Sequence, residues 1–160
     1  MSNNEPFGAD ELETWSAFAT VLEWLPPSLD AQLGRDSELT HFEYGILFAL
    51  ADAPDHALRM TTLAGFANSS PSRLSRATSR LESRGWMRRS PDPSDGRSTL
   101  ASLTDAGLER LEQATPGHVQ AVRRLVLDPL TRAQRHQLLE ISRRITHAIR
   151  EDAGWRPTGA

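Results

Sequence analysis

Between Asp10 and Leu33, the apolar residues Leu12, Trp15, Phe18, Ala19, Leu22 and Leu25 recur at steps of three and four, which places them on one face of a helix. The Pro26-Pro27 pair is expected to kink or interrupt it, because proline lacks the amide donor and crowds the preceding turn. A second helix is predicted from Thr40, with Glu43 completing a capping box and Tyr44, Leu47, Phe48 and Ala51 at helical spacing. Thr61 or Thr62 then caps a short helix carrying Leu63, Ala64 and Phe66. Asn68-Ser69-Ser70 reads as a polar turn, Pro71 as the first turn of the next helix, and Gly85 as its stop after Arg84. Two helices joined by so short a turn form a helix-turn-helix.

Two short strands follow, Trp86–Arg89 and Thr99–Leu103, flanking the turn-rich SPDPSDGRS. A hairpin placed there is a wing, with Arg97 at its tip and Asp95 positioned to brace that arginine through a charge-assisted bond. Thr104 caps another helix through Leu108 and Leu111, which continues past a kink expected near Pro116-Gly117 to Val119, Val122 and Val126. A last helix is capped by Thr131 and carries Leu138, Ile141 or Ser142, Ile145 and Ile149. The fold class is therefore mainly α, a winged helix-turn-helix with a small β-hairpin wing and flanking terminal helices.

The helix from Pro71 to Arg84 carries the most chemistry. At about 100° per residue, Leu74, Ala77 and Leu81 form a core face. Arg73, Arg76, Arg80 and Arg84 form a stripe beside it, and Ser72, Ser75 and Ser79 occupy the rest of the outside. Ser69, Ser70, Ser72 and Ser75 keep the N-terminal end narrow and able to donate to phosphates or bases, where the helix dipole also favours phosphate. Such a helix fits a major groove about 12 Å wide. Taken alone the stripe is equally compatible with a solvated face; a basic hairpin next in sequence, shaped to reach a minor groove, favours DNA.

Charge sharpens this reading. The net charge is −3, yet residues 1–70 hold only Arg35 and Arg59 against eleven acids, whereas residues 71–160 hold sixteen arginines against ten acids. The chain has no lysine; arginine offers a planar fork of donors suited to phosphate and guanine. With no cysteine there is no disulfide, thiolate metal site or thiol switch. The acidic opening MSNNEPFGADELE lacks signal-peptide character and no apolar run is long enough to span a bilayer, so a cytoplasmic protein without membrane contact is expected. No phosphate-binding glycine loop or nucleophile elbow is present, and His41, His56, His118, His136 and His147 show no metal-ligand spacing. Neither an enzyme nor a metal or cofactor site is expected.

The stretch SSPSRLSRATSRLESRGWMRRSPDPSDGRSTLASLTDAG resembles the helix-turn-helix and wing of multiple-antibiotic-resistance-regulator (MarR) proteins, most specifically in Asp95-Gly96-Arg97 followed by Leu103-Thr104-Asp105-Ala106-Gly107. LTHFEYGIL and MTTLA also match, and the resemblance spans roughly Asp10 to Arg150. It implies a homodimeric transcriptional repressor on a palindromic double-stranded DNA operator. Residues 1–38 would be a dimerisation helix, 39–103 the DNA-binding region and 104–160 the C-terminal dimerisation helices, all in one structural domain. Ser72, Arg73 and Arg76 would enter the major groove and Arg97 the minor groove, with Arg80 and Arg84 holding phosphate or acidic neighbours. Val126, Leu127, Leu130, Leu138 and Ile145 would contribute to the interface. A small aromatic or anionic effector is expected between the two layers, with Trp15, Trp24, His41, Tyr44 and Phe48 as candidate lining residues. Peroxide sensing by a first-helix cysteine is excluded. The rival reading is a winged helix whose arginines meet an acidic protein partner instead of specific DNA.

Overall fold

The computed structural model describes residues 5–67 and 70–152. Six helices and a three-stranded antiparallel sheet follow in the order α1 (Ala9–Ser37), α2 (His41–Asp52), β1 (Ala57–Arg59), α3 (Met60–Ala67), α4 (Pro71–Ser83), β2 (Met87–Asp92), β3 (Asp95–Leu103), α5 (Asp105–Val122) and α6 (Arg132–Asp152). The sheet order is β1-β3-β2. Leu33 and Leu39 meet Ile46, Leu47 and Leu50 of α2, and Leu63, Leu74, Leu81 and Met87 close the core from the winged helix.

The caps expected at Thr40, Thr104 and Thr131 form. Thr40 Oγ1 accepts from the Glu43 amide at 3.1 Å while Glu43 Oε2 accepts from the Thr40 amide at 3.0 Å, so two otherwise orphaned donors are satisfied. Ser70 caps α4, with Pro71 in its first turn, and Gly85 ends the unit at φ 73°, a left-handed conformation that costs glycine little. Thr104 Oγ1 accepts from the Gly107 amide at 3.0 Å and donates to the Gly85 carbonyl at 2.6 Å, joining α5 to the end of the helix-turn-helix. Thr131 and Gln134 cap α6 reciprocally.

Several expectations are corrected. Pro26 and Pro27 lie inside a continuous 29-residue α1. The carbonyls that they deprive of a donor belong to exposed Leu22 and Glu23, where water can replace the lost bonds. Pro116 likewise lies within α5, and the departure from α-geometry comes later, as a π-helical turn over Arg123–Leu127. The helix capped at Thr104 therefore ends at Val122. α3 begins at Met60, which puts Thr61 and Thr62 in its first turn. Strand β1 was not anticipated; it pairs Ala57 with Ser102, Leu58 with Ala101 and Arg59 with Leu100. Three residues carry no period of their own, and only a partner 43 positions away makes them a strand.

The wing differs most. Both strands run further than expected, with only Pro93 and Ser94 between them. Pro91 is accommodated because β2 is an edge strand, and the register shifts between Pro91 and Asp92. Arg97 consequently lies within β3 and not at the hairpin tip.

Candidate nucleic-acid interface

Helix α4 buries Leu74, Ala77, Leu81 and, in addition, Thr78, whose hydroxyl donates to the Leu74 carbonyl at 3.0 Å. Ser70, Ser72, Arg73, Ser75, Arg76, Arg80 and Arg84 are all exposed, whereas Ser69 lies outside the described residues. The Arg73 guanidinium sits 4.2 Å from the centre of the Phe42 ring, which orders it without neutralising it. Arg76 Nε donates to the Ser72 carbonyl at 3.3 Å.

The arginine stripe is not uniform. Arg80 Nε donates to Glu43 Oε1 at 2.6 Å, so its charge is spent on a nearly buried carboxylate that also caps α2. Arg84 donates to the Glu38 carbonyl and lies over the Trp86 ring at 5.0 Å. Arg89, beyond the helix, holds Glu82 through its backbone amide and guanidinium at 2.7–3.0 Å, and these bonds keep the Glu82 carboxyl below its ordinary value. Arg59 is taken by Asp92. Among the described residues of the winged helix, Arg73, Arg76, Arg84, Arg88 and Arg97 therefore carry charge that no acid offsets.

The expected Asp95–Arg97 brace takes another form. Asp95 Oδ1 accepts from the Arg97 backbone amide at 3.2 Å and Oδ2 from the Ser98 hydroxyl at 2.9 Å. The carboxylate thus shapes the first turn of β3 and leaves the Arg97 guanidinium without a hydrogen bond among the described residues. A short side chain bonding its own backbone two residues on is the habitual behaviour of aspartate beside a turn.

A cavity of about 430 Å³ opens between α2, α5 and the π-helical turn, lined by Tyr44, Phe48, His118, Val119, Val122, Arg123 and Leu127. Of the five candidates for such a site, Tyr44 and Phe48 line it. His41 stands behind, 5.5 Å from the His118 ring, and Trp15 and Trp24 are exposed on α1 away from it. The Tyr44 hydroxyl bonds Thr115 Oγ1 at 3.2 Å, and its ring lies 4.3 Å from that of His118. Burial, and then His41, push the His118 pKa down, and its Nδ1 is buried without a partner. Sequence reasoning missed His118 and Arg123; the signal available was that His118 falls at helical spacing from Leu111 and Val122, on the packed face of α5.

The terminal helices leave wide apolar surfaces uncovered. Leu12, Trp15, Val21, Leu22 and Trp24 of α1 are each about half exposed or more, and α6 buries no residue although it carries Leu138, Leu139, Ile141 and Ile149. Val126, Leu127, Leu130 and Ile145 are half-buried. No described helix is long and apolar enough to cross a membrane, and no described cluster of His, Asp and Glu has the arrangement of a metal site.

Residues 39–99 match the MarR family model. The chain is 44% identical to Sco3205, a MarR family transcriptional regulator from Streptomyces coelicolor solved in complex with DNA, over 91% of this chain and 92% of that one, with a TM-score of 0.87. It is 30% identical to AbsC, a MarR family transcriptional regulator from the same organism, over 92% and 99% of the two chains, also with a TM-score of 0.87. BpsR from Bordetella bronchiseptica, whose DNA binding is regulated by 6-hydroxynicotinic acid, shares the fold at 21% identity, with 89% and 98% coverage and a TM-score of 0.76. No curated protein matches the chain in sequence.

Proposed function

The chain belongs to the MarR family of DNA-binding transcriptional regulators, and from that premise we propose that it is a cytoplasmic homodimeric repressor acting on a palindromic operator. The observation that carries the reading is that, among the arginines left unneutralised in a chain of net charge −3, Arg73 and Arg76 stand exposed on α4 and Arg97 on the wing. Each is free to exchange water and counterions for phosphate or a base edge. Ser70 and Ser72 flank the α4 N-terminus, where small hydroxyls and the helix dipole suit a phosphate. Arg97, on a narrow two-stranded ribbon, suits a minor groove. Arg80 and Arg84 act inward, holding α4 against α2 and Trp86.

The partner that covers α1 and α6 is a second copy of the chain. A single winged helix makes too few base contacts for useful specificity, whereas a two-fold dimer reads half-sites about 34 Å apart. The uncovered apolar faces of both terminal helices supply the interface, with Val126, Leu127, Leu130, Leu138 and Ile145 contributing.

The cavity beside α2 takes the effector, a small aromatic anion. Tyr44, Phe48 and the valines offer an apolar slot, Arg123 a cation, and His118 Nδ1 an unused polar atom. Such a ligand shifts DNA binding only by its differential affinity for the DNA-competent and incompetent forms. The test of the whole reading is a titration of labelled duplex from the flank of the protein's own gene, at near-physiological salt with excess random competitor. A competitor-resistant complex of one dimer per site is expected. Binding that random competitor abolishes for every fragment tried would favour an acidic protein partner for the arginines.

A further inference from the structure

We infer that Arg59 is a positioning residue for the wing: it clamps the turn of the β2–β3 ribbon and so sets where Arg97 meets DNA. The inference rests on the reading of Arg97 as a minor-groove contact.

Strand β1 covers β3 only from Leu100 to Ser102, so the ribbon beyond Leu100, including Arg97, is two-stranded. Two-stranded ribbons are marginal alone and twist more than wider sheets. Arg59 is the last residue of β1, opposite Leu100. Its side chain reaches across β3 to the far end of β2, where Nε donates to Asp92 Oδ2 at 2.7 Å and the terminal nitrogen donates to Ser94 Oγ at 3.2 Å. Asp92 Oδ1 in turn accepts from the Ser94 amide at 2.8 Å and its hydroxyl at 2.7 Å. The Asp92 side chain is only 8% exposed, and the Ser94 bonds, with Arg59, hold its carboxyl down at about 2.

One guanidinium thus ties the free edge of the sheet to the residues that form the wing turn, on the far side of the strand bearing Arg97. Arg59 is also one of two cations in the acidic first seventy residues, and its charge is used inside the protein. A ribbon fixed before DNA arrives spares the ordering cost that a loose one would add on binding.

The test uses the full chain on an operator duplex, read by two probes. Hydroxyl-radical cleavage reports minor-groove protection at the flanks, and dimethyl sulfate reports guanine N7 protection in the major groove. Arg59→Ala is expected to lose the flank protection, keep the major-groove protection and weaken operator binding about tenfold. Arg59→Lys, which keeps the charge but lacks the planar fork that spans Asp92 and Ser94, should retain part of the flank protection. Asp92→Asn, which keeps the size of the side chain but removes its charge, should reproduce the Arg59→Ala footprint; this keeps the test independent of any loss of folding in one variant. Flank protection unchanged in Arg59→Ala, or both grooves lost equally in both variants, would overturn the inference. Arg97→Ala separates the two levels: if it leaves the flank protected, the minor-groove reading itself fails.

Discussion

Replacing Gly107 by alanine tests how α5 is seated on the winged helix. A Cβ at this position would lie 1.9 Å from the Trp86 carbonyl oxygen and 2.8 Å from Leu103 Cδ1. An ordinary carbon–oxygen contact is about 3.3 Å, so the backbone must yield by about 1.4 Å. That backbone is not free to move, because the Trp86 oxygen accepts from the Thr104 amide at 3.2 Å, and Thr104 bonds both Gly85 and Gly107. Overpacking costs about 1–3 kcal/mol and a lost N-cap about 1 kcal/mol, while alanine returns about 1 kcal/mol of helix propensity. The net expectation is a loss of about 1–3 kcal/mol, equivalent to a fall in Tm of roughly 2–12 °C for a chain of this size. Thermal and urea unfolding at fixed protomer concentration measure it, since the proposed dimer would make stability concentration-dependent. Gly45→Ala is the control: its Cβ would meet nothing within 4 Å, and it should be neutral or stabilising by up to about 1 kcal/mol. A Gly107→Ala protein as stable as Gly45→Ala would refute the close approach and the capping argument with it.

Arg97→Ala should weaken operator binding by about 1–3 kcal/mol while affecting random duplex much less, as read in competition titrations. Arg80→Ala leaves the nearly buried Glu43 carboxylate short of a partner and should cost about 1–3 kcal/mol of stability, measured by urea unfolding, with operator and random DNA affected alike. The depressed pKa of His118 means that the unfolded chain takes up a proton which the folded chain resists. Stability should therefore fall as pH drops below the ordinary histidine value of 6.5, and His118→Gln should flatten that slope in melting curves. If the proposed dimer uses α6, Leu138→Glu together with Ile141→Glu should yield monomer in sedimentation experiments and abolish competitor-resistant DNA binding.

The parts legible in the sequence were those decided locally. The Thr40–Glu43 capping box, the Leu74, Ala77 and Leu81 face and the Gly85 stop each depend on residues within one or two turns, and each stands as the pattern suggests. What depended on distant partners was not legible. Arg73 and Arg80 sit on one stripe, but only tertiary packing puts Phe42 under the first and Glu43 beside the second. β1 exists because β3 runs beside it, and the wing turn tightened because cross-strand pairing carried Pro91 and Asp92 into β2. The prolines misled for a related reason: the rule that they break helices counts lost bonds, and on an exposed face water restores them. Tyr44 and Phe48, which the family resemblance offers as lining candidates, do border the cavity, whereas His118 and Arg123 arrive from elements far along the chain.

The most direct test of the central claim is selection of bound duplexes from a random pool by the purified full-length chain, followed by sequencing. A dimer reading DNA through α4 should enrich one two-fold symmetric site with half-sites about one helical turn apart, and lose that enrichment when Arg73 and Arg76 are both replaced by alanine. Rounds of selection that enrich no sequence, or enrich the same site with both arginines absent, would contradict it.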